Sequence, residues 1–222
     1  MKILIIAPHP DDEVLGCGGT IKKYSKNGDE VFLCVATKAY TPEWSEDFIK
    51  HREEEIESAA NFLGIKKVIK LDFPTVRLDT IPQKQLNDSI SKVVEEVNPE
   101  IVFIPFPGDI NKDHNLISTA STVALRPKPN FSVKKVYSYE VLSETEWAKP
   151  AQKIEDVFQP NYYEDISDYL EDKLKAMQCY KSELKEYPHP RSLEGIKILS
   201  QKRGMEVGFK NAEAFMLIRE IK

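Results

Sequence analysis

Lys2-Ile3-Leu4-Ile5-Ile6-Ala7 runs straight into Pro8-His9-Pro10-Asp11-Asp12-Glu13 at the start of this 222-residue chain. The first six residues read as a buried strand. The next six put one imidazole and three carboxylates where that strand should meet a helix. Adjacent carboxylates at the mouth of an apolar sheet repel one another and lose hydration, and a bound cation is the simplest compensation. Pro8 and Pro10 restrict the backbone on both sides of His9, which pre-positions the ring as a ligand.

Further strand-like runs lie at Glu30 to Thr37, Lys67 to Leu71 and Glu100 to Pro105. Amphipathic stretches at Glu13 to Lys26, Glu43 to Leu63 and Ile81 to Val97 separate them, with Gly28, Gly64 and Asn98-Pro99 as stop signals. This βα alternation predicts an α/β fold: a Rossmann-like three-layer sandwich, its mostly parallel sheet covered by helices on both faces and its active site at the carboxyl ends of the strands. Further on, Leu116 to Leu125 reads as a helix and Lys134 to Leu142 as a half-buried strand. Ser167 to Lys181 and Ser192 to Arg203 read as helices, and Glu213 to Ile221 fits either a strand or a helix. No repeat, low-complexity tract or Gly/Ser-rich linker divides the chain, so 1–222 is expected to be one domain.

The composition is 41% hydrophobic and 30% charged, and the apolar runs are too short to cross a bilayer. The N-terminal run reads as strand rather than signal peptide, so a cytoplasmic location is expected. A net charge of −5 with interspersed Lys and Arg argues against nucleic-acid binding. Cys17, Cys34 and Cys179 are odd in number and widely spaced, which predicts reduced thiols and no thiolate zinc site.

A second polar loop, Phe106-Pro107-Gly108-Asp109-Ile110-Asn111-Lys112-Asp113-His114, follows another strand and should reach the same rim. His9, Asp12 and His114 together would supply two imidazoles and a carboxylate, leaving coordination positions for water and substrate as catalytic zinc requires. The same donor set also describes non-haem Fe(II) sites.

Ala7-Pro8-His9-Pro10-Asp11-Asp12-Glu13, followed by Gly16-Cys17-Gly18-Gly19-Thr20, closely resembles the signature of the PIG-L/LmbE-like zinc-dependent N-deacetylases. His51-Arg52-Glu53-Glu54-Glu55 with Leu63-Gly64, Asp109 to His114, Ser138-Tyr139-Glu140-Val141, His189-Pro190-Arg191-Ser192 and Ala212-Glu213-Ala214-Phe215 resemble weaker landmarks of the family. The resemblance implies that His9, Asp12 and His114 hold zinc and that Asp11 is the general base. It also implies removal of acetyl from an N-acetylglucosamine unit of a small-molecule conjugate. Many members carry His-Pro-Asp-His in the second motif, where this chain has Asn111-Lys112-Asp113-His114. Asn111 can donate to an oxyanion but cannot act as an imidazolium, whereas Asp113 keeps the family aspartate. A homo-oligomer is an expectation from the family alone.

Arg52 matches a family position facing substrate, beside a His51 and Glu run that otherwise read as solvated surface. Arg191 opens a helix where a loop could fold over the rim; its guanidinium suits sugar hydroxyls or a phosphate, and an ordinary cap ion pair fits equally. Gly16, Gly18 and Gly19 lack the G-x-G-x-x-G spacing of a phosphate cradle and read as close helix-to-sheet packing. Tyr137, Tyr139, Trp147, Tyr162 and Tyr163 could stack on sugar faces, though most should be core or rim. The expected activity is thus a metal-dependent amide hydrolase acting on an N-acetylated amino sugar. A different acyl amide, or a non-catalytic metal or sugar-binding module, are the rivals.

Overall fold

The computed structural model describes residues 1–129, 131–150, 153 and 156–222. Strand β1 (Lys2–Ala7) is buried along nearly its whole length and pairs in parallel with β2 (Glu30–Lys38) on one side and β4 (Ile101–Pro105) on the other. Outward from β2 lies β3 (Lys67–Pro74), and outward from β4 lies β5 (Lys135–Tyr139), both parallel. The sheet is completed by β7 (Ala212–Glu220) and β6 (Tyr162–Asp165), each antiparallel to its neighbour, giving the order β3-β2-β1-β4-β5-β7-β6. The chain leaves β1 for β2 and β3 on one side and returns to β4 and β5 on the other. The strand order therefore switches between β1 and β4, where open α/β sheets form their binding crevice.

The helices are α1 (Asp12–Lys26), α2 (Glu46–Leu63), α3 (Gln83–Val97), α4 (Lys112–Ala124), α5 (Leu170–Met177) and α6 (Leu193–Met205). One apolar cluster packs Ile3, Ile5, Val31 and Leu33 against α1 and α2, and a second packs Leu4, Ile6, Val102 and Ile104 against α3 and α4. Alternate residues of β1 thus feed opposite layers, as the period-two pleat dictates. Helix α2 ends at Gly64 and α3 at Asn98, both in the left-handed conformation that terminates helices.

Helix α1 lies unusually close to its neighbours. A Cβ on Gly16 would fall 2.3 Å from the Tyr139 ring, and one on Gly19 would fall 2.8 Å from Ile166. These glycines serve close packing rather than a phosphate cradle. Glu213 on β7 accepts from the Gly19 and Thr20 amides at 2.9 and 2.7 Å, and Lys173 on α5 donates to Leu15 O at 2.8 Å and to Glu213 at 2.5 Å.

The second half departs from the sequence expectations in detail. The helix expected over Ser167 to Lys181 is confined to Leu170–Met177, flanked by turns, and β6 has no strong signal in its four residues. The segment at Glu213 to Ile221 is a strand, because β5 and β6 each offer it a ladder. Among the described residues, no helix is long and apolar enough to cross a membrane.

Candidate metal centre

His9 follows β1, Asp12 opens α1, and His114 lies in the first turn of α4 behind β4, so the strand-order switch brings all three together. His9 Nδ1 and His114 Nε2 are 3.2 Å apart, and Asp12 Oδ2 lies 3.4 Å from the first and 3.3 Å from the second. The three donor atoms are close enough together to share one ion. Asp12 Oδ2 also accepts from the His9 amide at 2.8 Å, while Asp12 Oδ1 is buried without a hydrogen-bond partner. An unpartnered oxygen on a buried carboxylate is costly, and a carboxylate set beside two imidazoles has the donor set that suits a cation.

Each imidazole is oriented by a carboxylate on its far nitrogen. His114 Nδ1 pairs with Asp109 Oδ2 at 2.8 Å, and Asp109 in turn accepts from Thr145 Oγ1 at 2.6 Å. His9 Nε2 pairs with Asp113 Oδ2 at 3.2 Å, and Asp113 accepts from the amides of Val76 and Leu78 at 2.7 and 3.3 Å. Such partners fix the ring tautomer and raise ligand basicity. Burial disfavours the His9 imidazolium, but Asp113 and Asp12 outweigh it and hold that group at about 9. His114 behaves alike: burial is more than offset by Asp12 and Asp109, giving about 10. Burial also opposes ionisation of Asp12, yet His114 and His9 hold its carboxyl well below the usual range.

Asp11 occupies the N-cap position of α1 but its side chain makes no capping bond. Its backbone stands at φ 103°, a left-handed value that costs a non-glycine residue about 1–3 kcal/mol and persists where the surroundings impose it. Its amide donates to Glu13 Oε2 at 3.1 Å, and its carbonyl accepts from Val14 and Leu15 at 3.0 and 2.9 Å. Glu13 is itself held by the Tyr180 hydroxyl at 2.6 Å. Burial raises the Asp11 carboxyl well above the ordinary range; Arg191 pulls it down, and Asp12 adds to the rise. Asp11 is thus a buried carboxylate that neither caps its helix nor belongs to the trio, with Arg191 3.4 Å away.

His9, Asp11, Asn111, Arg52 and Arg191 all line one cavity of about 220 Å³. Asn111 caps α4, its Oδ1 accepting from the Asp113 amide at 3.1 Å, so the amide NH2 is the end left for the cavity. Arg52 donates to Pro10 O at 2.8 Å and Ser182 Oγ at 3.1 Å and lies 3.4 Å from Glu183. Arg191 donates to Ser143 Oγ at 2.7 Å, Glu144 at 2.8 Å, Glu183 at 3.2 Å and Asp11 at 3.4 Å. Asp113 lies behind His9 rather than among the cavity-lining residues.

Residues 4–125 match the family model described as PIG-L, GlcNAc-PI de-N-acetylase. The chain belongs to the PIG-L family. It is 30% identical over 195 residues to diacetylchitobiose deacetylase of Thermococcus kodakarensis, covering 83% of this chain and 71% of that protein. It is 27% identical over 190 residues to the probable N-acetyl-α-D-glucosaminyl L-malate deacetylase 2 of Bacillus anthracis, covering 82% and 80%. The structure of N,N′-diacetylchitobiose deacetylase from Pyrococcus horikoshii superposes with a TM-score of 0.77 at 25% identity, covering 98% of this chain and 84% of that one. The PIG-L match spans His9, Asp11, Asp12, Asp109 and His114 but ends before Glu144, Glu183 and Arg191.

Several contributors escaped the sequence reading. Asp109 stands five residues before His114, a signal that a search for carboxylates partnering ligand histidines could use. Tyr180, Glu144 and Glu183 approach through tertiary contacts that no local pattern marks. The aromatic candidates fared differently. Tyr137 and Tyr139 are core residues, Tyr162 packs on Tyr137 with ring centroids 4.6 Å apart, Tyr163 donates to Glu206 and Trp147 meets His189 edge-on. The aromatic rings that do line the cavity are Trp44 and Phe48.

Proposed function

We propose that this protein is a zinc-dependent N-deacetylase, with residues 1–222 acting as one unit, that removes acetyl from an N-acetylated amino sugar carried in a small-molecule conjugate. The observation that carries the reading is the trio of His9, Asp12 and His114 with Asp11 beside it, buried, strained and outside the trio. Family membership and relatives named as deacetylases of diacetylchitobiose and of a glucosaminyl malate support the substrate class. Three free cysteines suit the reducing cytoplasm.

His9, Asp12 and His114 would hold the ion, and two imidazoles with one carboxylate suit zinc. A zinc ion held there would polarise the amide carbonyl and lower the pKa of a bound water to about 7. Asp11 takes the proton of the attacking water and delivers it to the departing amine, a task helped by burial that raises its carboxyl above the ordinary range. Arg191 keeps Asp11 from drifting further upward and anchors it to the cavity wall. The Asn111 amide NH2 is the donor available to the oxyanion as the carbonyl becomes tetrahedral. Asp113 and Asp109 act through the rings they orient. Arg52 and Arg191, already matched by carboxylates, serve sugar hydroxyls.

Acetate release from free and conjugated N-acetylglucosamines, with chelator-stripped protein reloaded separately with zinc or with Fe(II), tests the proposal. Release that returns with zinc is expected. A fully zinc-loaded protein that releases acetate from none of them would overturn it.

A further inference from the structure

The cavity extends from the metal centre across the β2 and α2 side, where its wall changes character. Val35, Trp44, Phe48, Ile49 and Ile56 give it a largely apolar surface, with Trp44, Phe48 and Ile49 half-buried. Among the described residues, four cations line it, Lys38, Arg52, Lys70 and Arg191, but five carboxylates, Asp11, Glu53, Asp72, Glu144 and Glu183, line it with them. Lys38 is ion-paired with Glu53, and Lys70 lies 4.0 Å from the other oxygen of the same carboxylate, with Asp72 close enough to Lys38 to reinforce its charge. Arg52 is met by Glu55 and Glu183, and Arg191 by Asp11, Glu144 and Glu183. A dianionic or phosphorylated group would have to compete with these carboxylates for the cations and bear their repulsion. A neutral ring would find an apolar wall at no such cost.

Resting on the deacetylase reading, we infer that the group attached to the amino sugar is an uncharged ring with an apolar face, a second neutral sugar or an aryl group, seated against Trp44 and Phe48. It is not a carboxylate- or phosphate-bearing group. Covering about 60 Å² of ring face at ~25 cal/mol/Å² corresponds to about tenfold in affinity.

The experiment compares kcat/KM of the zinc-loaded protein for N,N′-diacetylchitobiose, p-nitrophenyl N-acetylglucosaminide, N-acetylglucosaminyl L-malate and free N-acetylglucosamine, with calorimetric binding of the same four compounds. The neutral conjugates should exceed the malate conjugate at least tenfold. Trp44→Ala should lower the preference for the aryl conjugate over free N-acetylglucosamine about tenfold, through KM rather than kcat. Glu53→Gln, which frees Lys38 and Lys70 together, should raise kcat/KM for the malate conjugate several-fold, a gain that misfolding cannot mimic. A malate conjugate turned over or bound as well as the neutral ones, or a Glu53→Gln protein without that gain, would overturn the inference. Absent turnover of all four with binding still in the stated order would instead overturn the deacetylase reading and leave the pocket's preference standing.

Discussion

Helix α1 touches two buried clusters of charge, and they are built on opposite terms. Against its middle, Lys173 and Glu213 satisfy one another and the backbone together: the ammonium reaches Leu15 O, and the carboxylate receives the Gly19 and Thr20 amides. At its N-terminus, His9, Asp12 and His114 converge their donor atoms, leave Asp12 Oδ1 unpartnered, and place Asp11 in a strained backbone beside them. The first cluster completes itself and holds the helix to β7 and α5. The second leaves one carboxylate oxygen without a partner and gathers the donor set of a metal site. Burial of charge therefore marks function only when the internal account of hydrogen bonds and counter-charges fails to close.

The sharpest way to break this comparison is at Asp11. Asp11→Asn should cut kcat about 10²–10⁴-fold, with zinc stoichiometry by metal analysis unchanged. Equal activity in the variant would remove Asp11 from proton transfer. The structural cluster should respond in stability instead. Lys173→Met strands Glu213 without its counter-charge and should cost about 3–5 kcal/mol by urea unfolding, with much of it restored when Glu213→Gln is added. A double variant as unstable as the sum of the singles would contradict the view of the pair as one unit.

Smaller effects sharpen the contrast. Asp109→Asn should weaken zinc affinity about 10–100-fold, because His114 loses the partner that orients its ring. Unchanged affinity by competition with a chromogenic chelator would assign Asp109 to packing. Smallest is the pH dependence of the metal-free protein. His9 and His114 are held at about 9 and about 10, above the ~6.5 of an unfolded chain, so their stabilisation is full below ~6.5 and declines as pH rises through 9 to 10. Zinc must displace those protons, so its affinity should rise with pH over the same range and binding should release protons. Calorimetric titrations in buffers of different ionisation enthalpy read that release directly.

The parts of this architecture that were legible are those with local causes. β1 and the residues behind it could be read because six apolar residues followed by Pro-His-Pro-Asp-Asp-Glu leave few alternatives, and the βα alternation placed His114 on the same rim. Asp11 was singled out as a candidate base through the family resemblance, but its left-handed backbone, with the amide bonded to Glu13 and the carbonyl to the α1 amides, has no local signal. β6 and the short α5 were obscure because their four and eight residues are held by tertiary partners rather than by periodicity. Arg52 and Arg191 were legible as rim cations. Their neutralisation by Glu144 and Glu183 was not, since it depends on which loops meet across the cavity. Trp44 and Phe48 were passed over because nothing local separates an aromatic in a pocket wall from one in a core.

The central claim is that the trio is built for a cation it does not itself supply. Isothermal titration of zinc into chelator-stripped wild-type protein and into His114→Ala tests it most directly. One tight site with proton release in the wild type, lost or weakened by orders of magnitude in the variant, is the predicted result. No binding to the wild type, or equal affinity in His114→Ala, would contradict it.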